Sequence, residues 1–232
     1  RGMMTASQVE AAINPPDFYH SPLTSLVTLE NTTNKGGGAC WDYKEIIKIK
    51  SVCDSHKLVL HLDGARLWNA LIAKSESTQQ YGDVFDTISV CFSKGLGAPV
   101  GSVLVGNEDL MNKALRIRKM LGGGMRQIGL LAAAASYALD RQYDRLKDDH
   151  QKAKEIEGVL QQLDVVASVE PVETNIVIFN LDPKGDQDLF LNHLKSHNVL
   201  LSDMGGGKLR MVTHLDYTDA MHLKLTQLMQ NY

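Results

Sequence analysis

The chain has 232 residues, 44% of them apolar and 22% charged, with a net charge of −3. That length allows one large domain or two small ones around a sizeable core, and the mixed, near-neutral charge excludes an evident footprint for nucleic acid or an anionic membrane. Three scattered cysteines without a CxxC, no apolar run of membrane-spanning length and no signal peptide lead to the expectation of a cytoplasmic protein, and the opening Arg1-Gly2-Met3-Met4 to that of a piece of a longer polypeptide.

In chain order, Ser7-Gln8-Val9-Glu10 reads as a capping box that starts a short helix, stopped by Pro15-Pro16. A strand is expected at Ser25–Leu29, followed by the polar run Glu30–Asn34 and a break at Gly36-Gly37-Gly38. Asp42 caps a second helix whose apolar positions run to about Ser55. Leu58–Leu62 is a short strand ending at Asp63-Gly64, with a helix over Ala65–Ala73 and a polar loop over Lys74–Gln80. Strands follow at Ile88–Phe92 and Ser102–Val105, enclosing the loop Ser93-Lys94-Gly95-Leu96-Gly97-Ala98-Pro99-Val100-Gly101. Asn107 opens a helix to about Met120, Gly122-Gly123-Gly124 interrupts it, and a long apolar helix runs from Met125 to about Tyr143.

Beyond residue 145 the texture changes. Helix Ala153–Leu163, strand Asn175–Asn180, helix Asp188–His197, strand Val199–Ser202, turn Gly205-Gly206-Gly207, strand Leu209–Val212 and helix Thr218–Gln230 make a compact α+β unit. The first part, alternating strands and helices, predicts an α/β fold with a mostly parallel sheet and flanking helices. The expected division is 1–144 for the larger domain and 145–232 for the smaller.

In a parallel sheet, ligands bind beyond the carboxyl ends of the strands. One strand delivers Asp63, with Arg66 close behind, and another delivers Ser93 and Lys94. A carboxylate, a guanidinium and an amine converging there suit pyridoxal phosphate: Lys94 as Schiff-base former, Asp63 paired with the protonated ring nitrogen, Arg66 donating to the ring's phenolic oxygen. Each has a plain structural counterpart, an Asp-Gly turn or a solvated arginine, and only their order and shared position at strand ends favours the site. Arg210 has the chemistry to hold a carboxylate with two hydrogen bonds. Arg126, at the expected start of a helix, and the Arg116, Arg118 and Lys119 cluster are anion-site candidates. His61 and Asp63 share a strand face, with His56 nearby, but a third ligand at suitable spacing is lacking and no metal is expected.

Five runs taken together resemble threonine aldolases, of the aspartate aminotransferase-like, fold type I superfamily of pyridoxal phosphate enzymes: Leu29–Thr32, His61–Leu67, Ser93–Gly101, Arg118–Gln127 and Leu209–His214. The resemblance implies pyridoxal 5'-phosphate as cofactor and retro-aldol cleavage of L-threonine or L-allo-threonine to glycine and acetaldehyde. By it, Lys94 and Asp63 are catalytic and also bind the cofactor with Arg66 and Ser93. Arg210 clamps the substrate carboxylate, with Arg126 and Lys119 near the substrate or a subunit interface, and the protein is a homodimer or homotetramer. The larger domain then corresponds to the cofactor-binding domain of the family, without the N-terminal stretch that supplies the phosphate loop and a histidine stacked on the ring. Thr33 replaces a family histidine. The competing readings are another fold type I lyase or aminotransferase, and a non-catalytic, truncated paralogue that serves as an interaction module.

Overall fold

A computed structural model describes residues 1–183 and 187–232. It contains two four-stranded sheets. The first has the order β1 (Leu26–Glu30), β2 (Val59–Gly64), β3 (Thr87–Cys91), β4 (Ser102–Gly106). β1, β2 and β3 are parallel, and β4 runs antiparallel to β3. A helical crossover joins each parallel pair, whereas the Ser93–Gly101 loop between β3 and β4 has no helix, so the chain returns antiparallel. All three parallel strands therefore end on one side, and that side carries Glu30, Asp63 and Lys94.

The parallel strands have alternating buried positions, and their core is Leu29, Leu60, Leu62, Ile88 and Val90 packed with Ile46, Ile49 and Cys53 of α2 (Tyr43–Ser55) and Leu67 and Leu71 of α3 (Leu67–Lys74). Asp42 caps α2 as expected, accepting from Lys44 N at 3.0 Å. Glu45 does not complete a capping box. It accepts instead from Ala6 N at 2.8 Å and so ties α2 to α1 (Ala6–Ala12). The cap of α1 is Thr5 and not Ser7: its hydroxyl accepts from Gln8 N, and Gln8 returns to Thr5 N.

The expected loop over Lys74–Gln80 gives way to a helix, α4 (Thr78–Val84), under a Ser77/Gln80 capping box. The signal was in the sequence, and Tyr81 and Val84 of this helix close the core beneath it. α5 (Glu108–Met120) starts at Asn107, as predicted. α6 begins only at Gly129 and ends at Gln142, so Arg126 occupies a turn before the helix and not its first turn.

α7 (Leu146–Leu160) starts earlier than the sequence pattern suggested. The second sheet is antiparallel throughout, in the order β5 (Val166–Val169), β6 (Ile176–Leu181), β8 (Lys208–Val212), β7 (Ser202–Asp203). β5 was not expected, and β7 is shorter than expected. α7, α8 (Gln187–Ser196) and α9 (Asp219–Gln230) cover the sheet through Ala153, Ile156, Leu160, Phe190, Leu194, Leu225 and Met229. A third cluster of Leu96, Ala98, Ala138 and Leu146 joins the lysine loop to α6 and α7.

Candidate functional site

Asp63 is the register partner of Glu30 across β2 and β1, so two carboxylates lie side by side at the strand ends. Asp63 is exposed, and its Oδ1 accepts from Ala65 N at 3.0 Å. The turn reading of Asp-Gly is thus correct for one oxygen, while Oδ2 has no hydrogen bond among the described residues. Glu30 Oε2 accepts from Asn34 N at 3.1 Å.

Arg66 follows directly, at the N-terminus of α3. Burial holds its guanidinium below the ordinary arginine range, and neighbouring Arg210 pushes the same way against Glu30, Cys91 and Asp63. Arg66 therefore lies within electrostatic range of side chains on β1, β2, β3 and β8. Arg210 is half-buried on β8 opposite Ile178, and burial lowers its pKa too. Its Nε is buried and has no partner among the described residues. Two guanidiniums partly withdrawn from water, one within electrostatic range of the other, favour an anion nearby.

The lysine loop closes through Gly97 N to Lys94 O at 2.9 Å and Ala98 N to Phe92 O at 3.0 Å. Two of its glycines have local reasons, close approach at Gly95 and backbone conformation at Gly97. A Cβ on Gly95 would stand 2.8 Å from the Leu146 side chain, and Gly97 has φ +71°. Lys94 itself is exposed, and its amine has no ion pair or hydrogen bond among the described residues. It lines a pocket of about 350 Å³ together with Arg66, Asn69, Ser93, Asn175 and His214. His214 Nδ1 accepts from Asp216 N at 3.2 Å. Asn175 is buried, donates from Nδ2 to Thr213 O at 2.9 Å, and leaves Oδ1 without a partner among the described residues.

Of the residues singled out in the sequence, Lys94, Ser93 and Arg66 share this pocket, and Asp63 and Arg210 adjoin it through Arg66. Lys119, in the last turn of α5, and Arg126 are exposed and do not line it. His61 bonds Thr87 Oγ1 at 2.8 Å and His56 bonds Glu10 at 2.7 Å. Among the described residues no three histidines, cysteines or carboxylates gather as metal ligands. Thr33 is buried, with Oγ1 unpartnered among the described residues and N donating to Ala39 O at 3.0 Å. Sequence reasoning missed Asn69 and Asn175. Asn69 had a signal, a polar residue on the buried side of the apolar run Leu67–Ala73, whereas Asn175 had none beyond its place before a strand.

These side chains fit pyridoxal phosphate. An unpaired amine is there to meet an aldehyde, a carboxylate with an open oxygen to meet a ring N–H, and two guanidiniums, one with an orphaned Nε, to meet anions.

A family model described as beta-eliminating lyase matches residues 1–184. The chain is 40% identical to low-specificity L-threonine aldolase 1 of Arabidopsis thaliana over 94% of its own length and 62% of the relative's. It is 37% identical to the low specificity L-threonine aldolase of Escherichia coli strain K12 over 93% of its own length and 62% of the relative's. The chain thus spans about six tenths of the length of these curated relatives. Among solved structures it is similar to the threonine aldolase of Leishmania major, with a TM-score of 0.80 and 20% identity over 99% of this chain and 67% of that one. A histidinol-phosphate aminotransferase from Clostridium acetobutylicum shares the fold more distantly, with a TM-score of 0.65 and 14% identity over 89% of this chain and 63% of that one.

Proposed function

Starting from the beta-eliminating lyase family, to which this chain belongs, we propose that it is the greater part of a pyridoxal phosphate-dependent aldehyde-lyase that cleaves L-threonine and L-allo-threonine to glycine and acetaldehyde. The observation that carries the reading is the pocket where Lys94 lies beside Arg66, itself adjacent to Asp63 and Arg210. When bound, the cofactor supplies an aldehyde for covalent attachment and a ring that takes up the electron pair left at the substrate Cα.

The residues divide the work. Lys94 offers its amine from a loop with little side-chain bulk. Asp63 would pair its negative charge with the ring nitrogen and so favour a proton there. Arg66 would donate to the ring oxygen, and Ser93 would help to hold the phosphate. Arg210 would grip the substrate carboxylate with paired N–H groups and so orient the amino acid in the pocket. Lys119 and Arg126 are assigned to the substrate side or the subunit contact. In the same reading the protein is a cytoplasmic homodimer or homotetramer, divided into domains at 144/145. Among the described residues no helix is long and apolar enough to cross a membrane.

Borohydride reduction of the natural full-length protein, followed by peptide mapping, tests the assignment. A pyridoxyl group on Lys94 with acetaldehyde release from L-threonine is expected. Label on another lysine, or amino-group transfer to a keto acid faster than glycine release, would overturn it.

A further inference from the structure

The first turn of α7 is built at a cost that packing alone does not explain. Asp149 is only 1% exposed, and its carboxylate is forked by Arg145 through Nη1 to Oδ1 at 2.7 Å and Nη2 to Oδ2 at 3.0 Å. Removing such a pair from water is expensive, and apolar residues of similar size serve stability as well. What the pair adds is direction. The same Nη2 donates to Gly95 O at 2.9 Å, on the residue directly after Lys94. On the other side, Asp149 O accepts from Thr213 Oγ1 at 2.7 Å, between Arg210 and His214. The next residue, His150, donates from Nε2 to Asn69 Oδ1 at 2.9 Å, and the Asn69 amide lies 3.2 Å from where a Gly95 Cβ would be. Burial holds the His150 ring down to about pH 4, so it is neutral and can keep this geometry at neutral pH.

We propose that Arg145 and Asp149 are positioning residues, which lock the lysine loop and the end of β8 to one turn of α7 and so set the placement of Lys94 relative to Arg210. Neither residue touches the reacting groups. The fork on Asp149 fixes the guanidinium plane, and the fixed plane leaves one N–H for the Gly95 carbonyl. A lysine at 145 keeps the charge yet cannot hold two carboxylate oxygens and that carbonyl at once. This inference rests on the assignment of Lys94 made above.

The experiment compares Arg145→Lys with the unaltered full-length protein by hydrogen exchange and steady-state kinetics. Exchange of the peptide spanning 92–98, measured without added cofactor, is expected to rise about fivefold while α7 and β6 keep their protection. With cofactor, kcat is expected to fall about tenfold with KM changed less than about threefold, because reacting groups are misplaced and binding is not lost. Unchanged exchange and kcat, or exchange rising equally along α7, would overturn the proposal. If R145K is not recovered folded, Thr213→Val, which deletes the hydroxyl's bonds to Asp149 O and Asn175 O and no charge, is judged by the same two measurements. Absence of a pyridoxyl group on Lys94 of the unaltered protein sinks the functional reading and this inference with it. A label on Lys94 together with R145K kinetics and exchange like those of the unaltered protein sinks this inference alone.

Discussion

The three parallel strands and the β4–α5–α6 region belong to the same half of the chain and are packed in opposite ways. β1, β2 and β3 bury their alternate side chains among α2, α3 and α4, and Leu60, Leu62 and Ile49 are fully enclosed. β4 is exposed along its whole length, α5 buries no side chain among the described residues, and Leu130 of α6 is 84% exposed. Yet α5 is capped at Asn107, with Glu108 and Asp109 in its first turn and Arg118 and Lys119 in its last, which suits its dipole. Its helical form is set locally, and its surroundings are not. The residues assigned to the cofactor all stand on the packed side, where a side chain's position is fixed by a core beneath it. Lys119 and Arg126 stand on the open side.

The sharpest test of that contrast is Lys94→Ala. It is expected to lower kcat/KM of the full-length protein by a thousandfold or more, on the order expected for losing a covalent nucleophile. The melting temperature should hardly move, since Lys94 is exposed on a well-packed support. Denaturant unfolding supplies the next test. Leu62→Ala is expected to cost this chain about 2–5 kcal/mol, and Leu130→Ala less than about 0.5 kcal/mol. Equal costs would erase the distinction between the two regions.

Arg210→Lys comes next. It replaces a two-pronged donor by a point charge, and KM for L-threonine should rise about tenfold with a smaller change in kcat. A pH series tests the α7 junction. The pKa of His150 is lowered from 6.5 to about 4, mainly by burial against a smaller opposing effect of Asp149. The unfolded chain therefore takes up a proton first as pH falls. The contribution of the neutral ring is fully present above pH 6.5, is lost as pH drops toward 4, and changes no further below that. Urea titrations at pH 7 and pH 4.5 should show that loss, on the order of 2 kcal/mol, and His150→Gln should remove this part of the slope. A modest effect is expected of Thr218→Ala, which deletes the hydroxyl that accepts from Met221 N at the start of α9 and should cost about 1 kcal/mol in thermal or denaturant unfolding.

Much of the site was legible because its parts are local. Lys94, Ser93 and Asp63 each follow a short apolar strand, and a strand end in a parallel sheet is a place where polar residues face a ligand. The Ser77/Gln80 box was equally local, and reading that stretch by polarity alone left α4 out. Ser7 was read as a cap because Ser, Thr and Asn compete closely for that role, and Thr5, whose partner Gln8 lies at the right spacing, satisfies it. β5 escaped notice because a four-residue strand carries too little alternation to rise above its flanks.

By itself the sequence determined the helices with strong caps, the apolar strands, the glycine loop that leaves room around Lys94, and the family. These depend on residues a few positions apart, whose backbone preferences act before any tertiary contact forms. Only the folded chain decided that Arg210 comes within electrostatic range of Arg66, that Arg145 reaches the carbonyl after Lys94, and that Asn175 and His214 share a pocket with the lysine. Those meetings join residues 50 or more positions apart in the chain. They are set by how the two sheets pack through α7 and the lysine loop, and no spacing along the sequence encodes that arrangement.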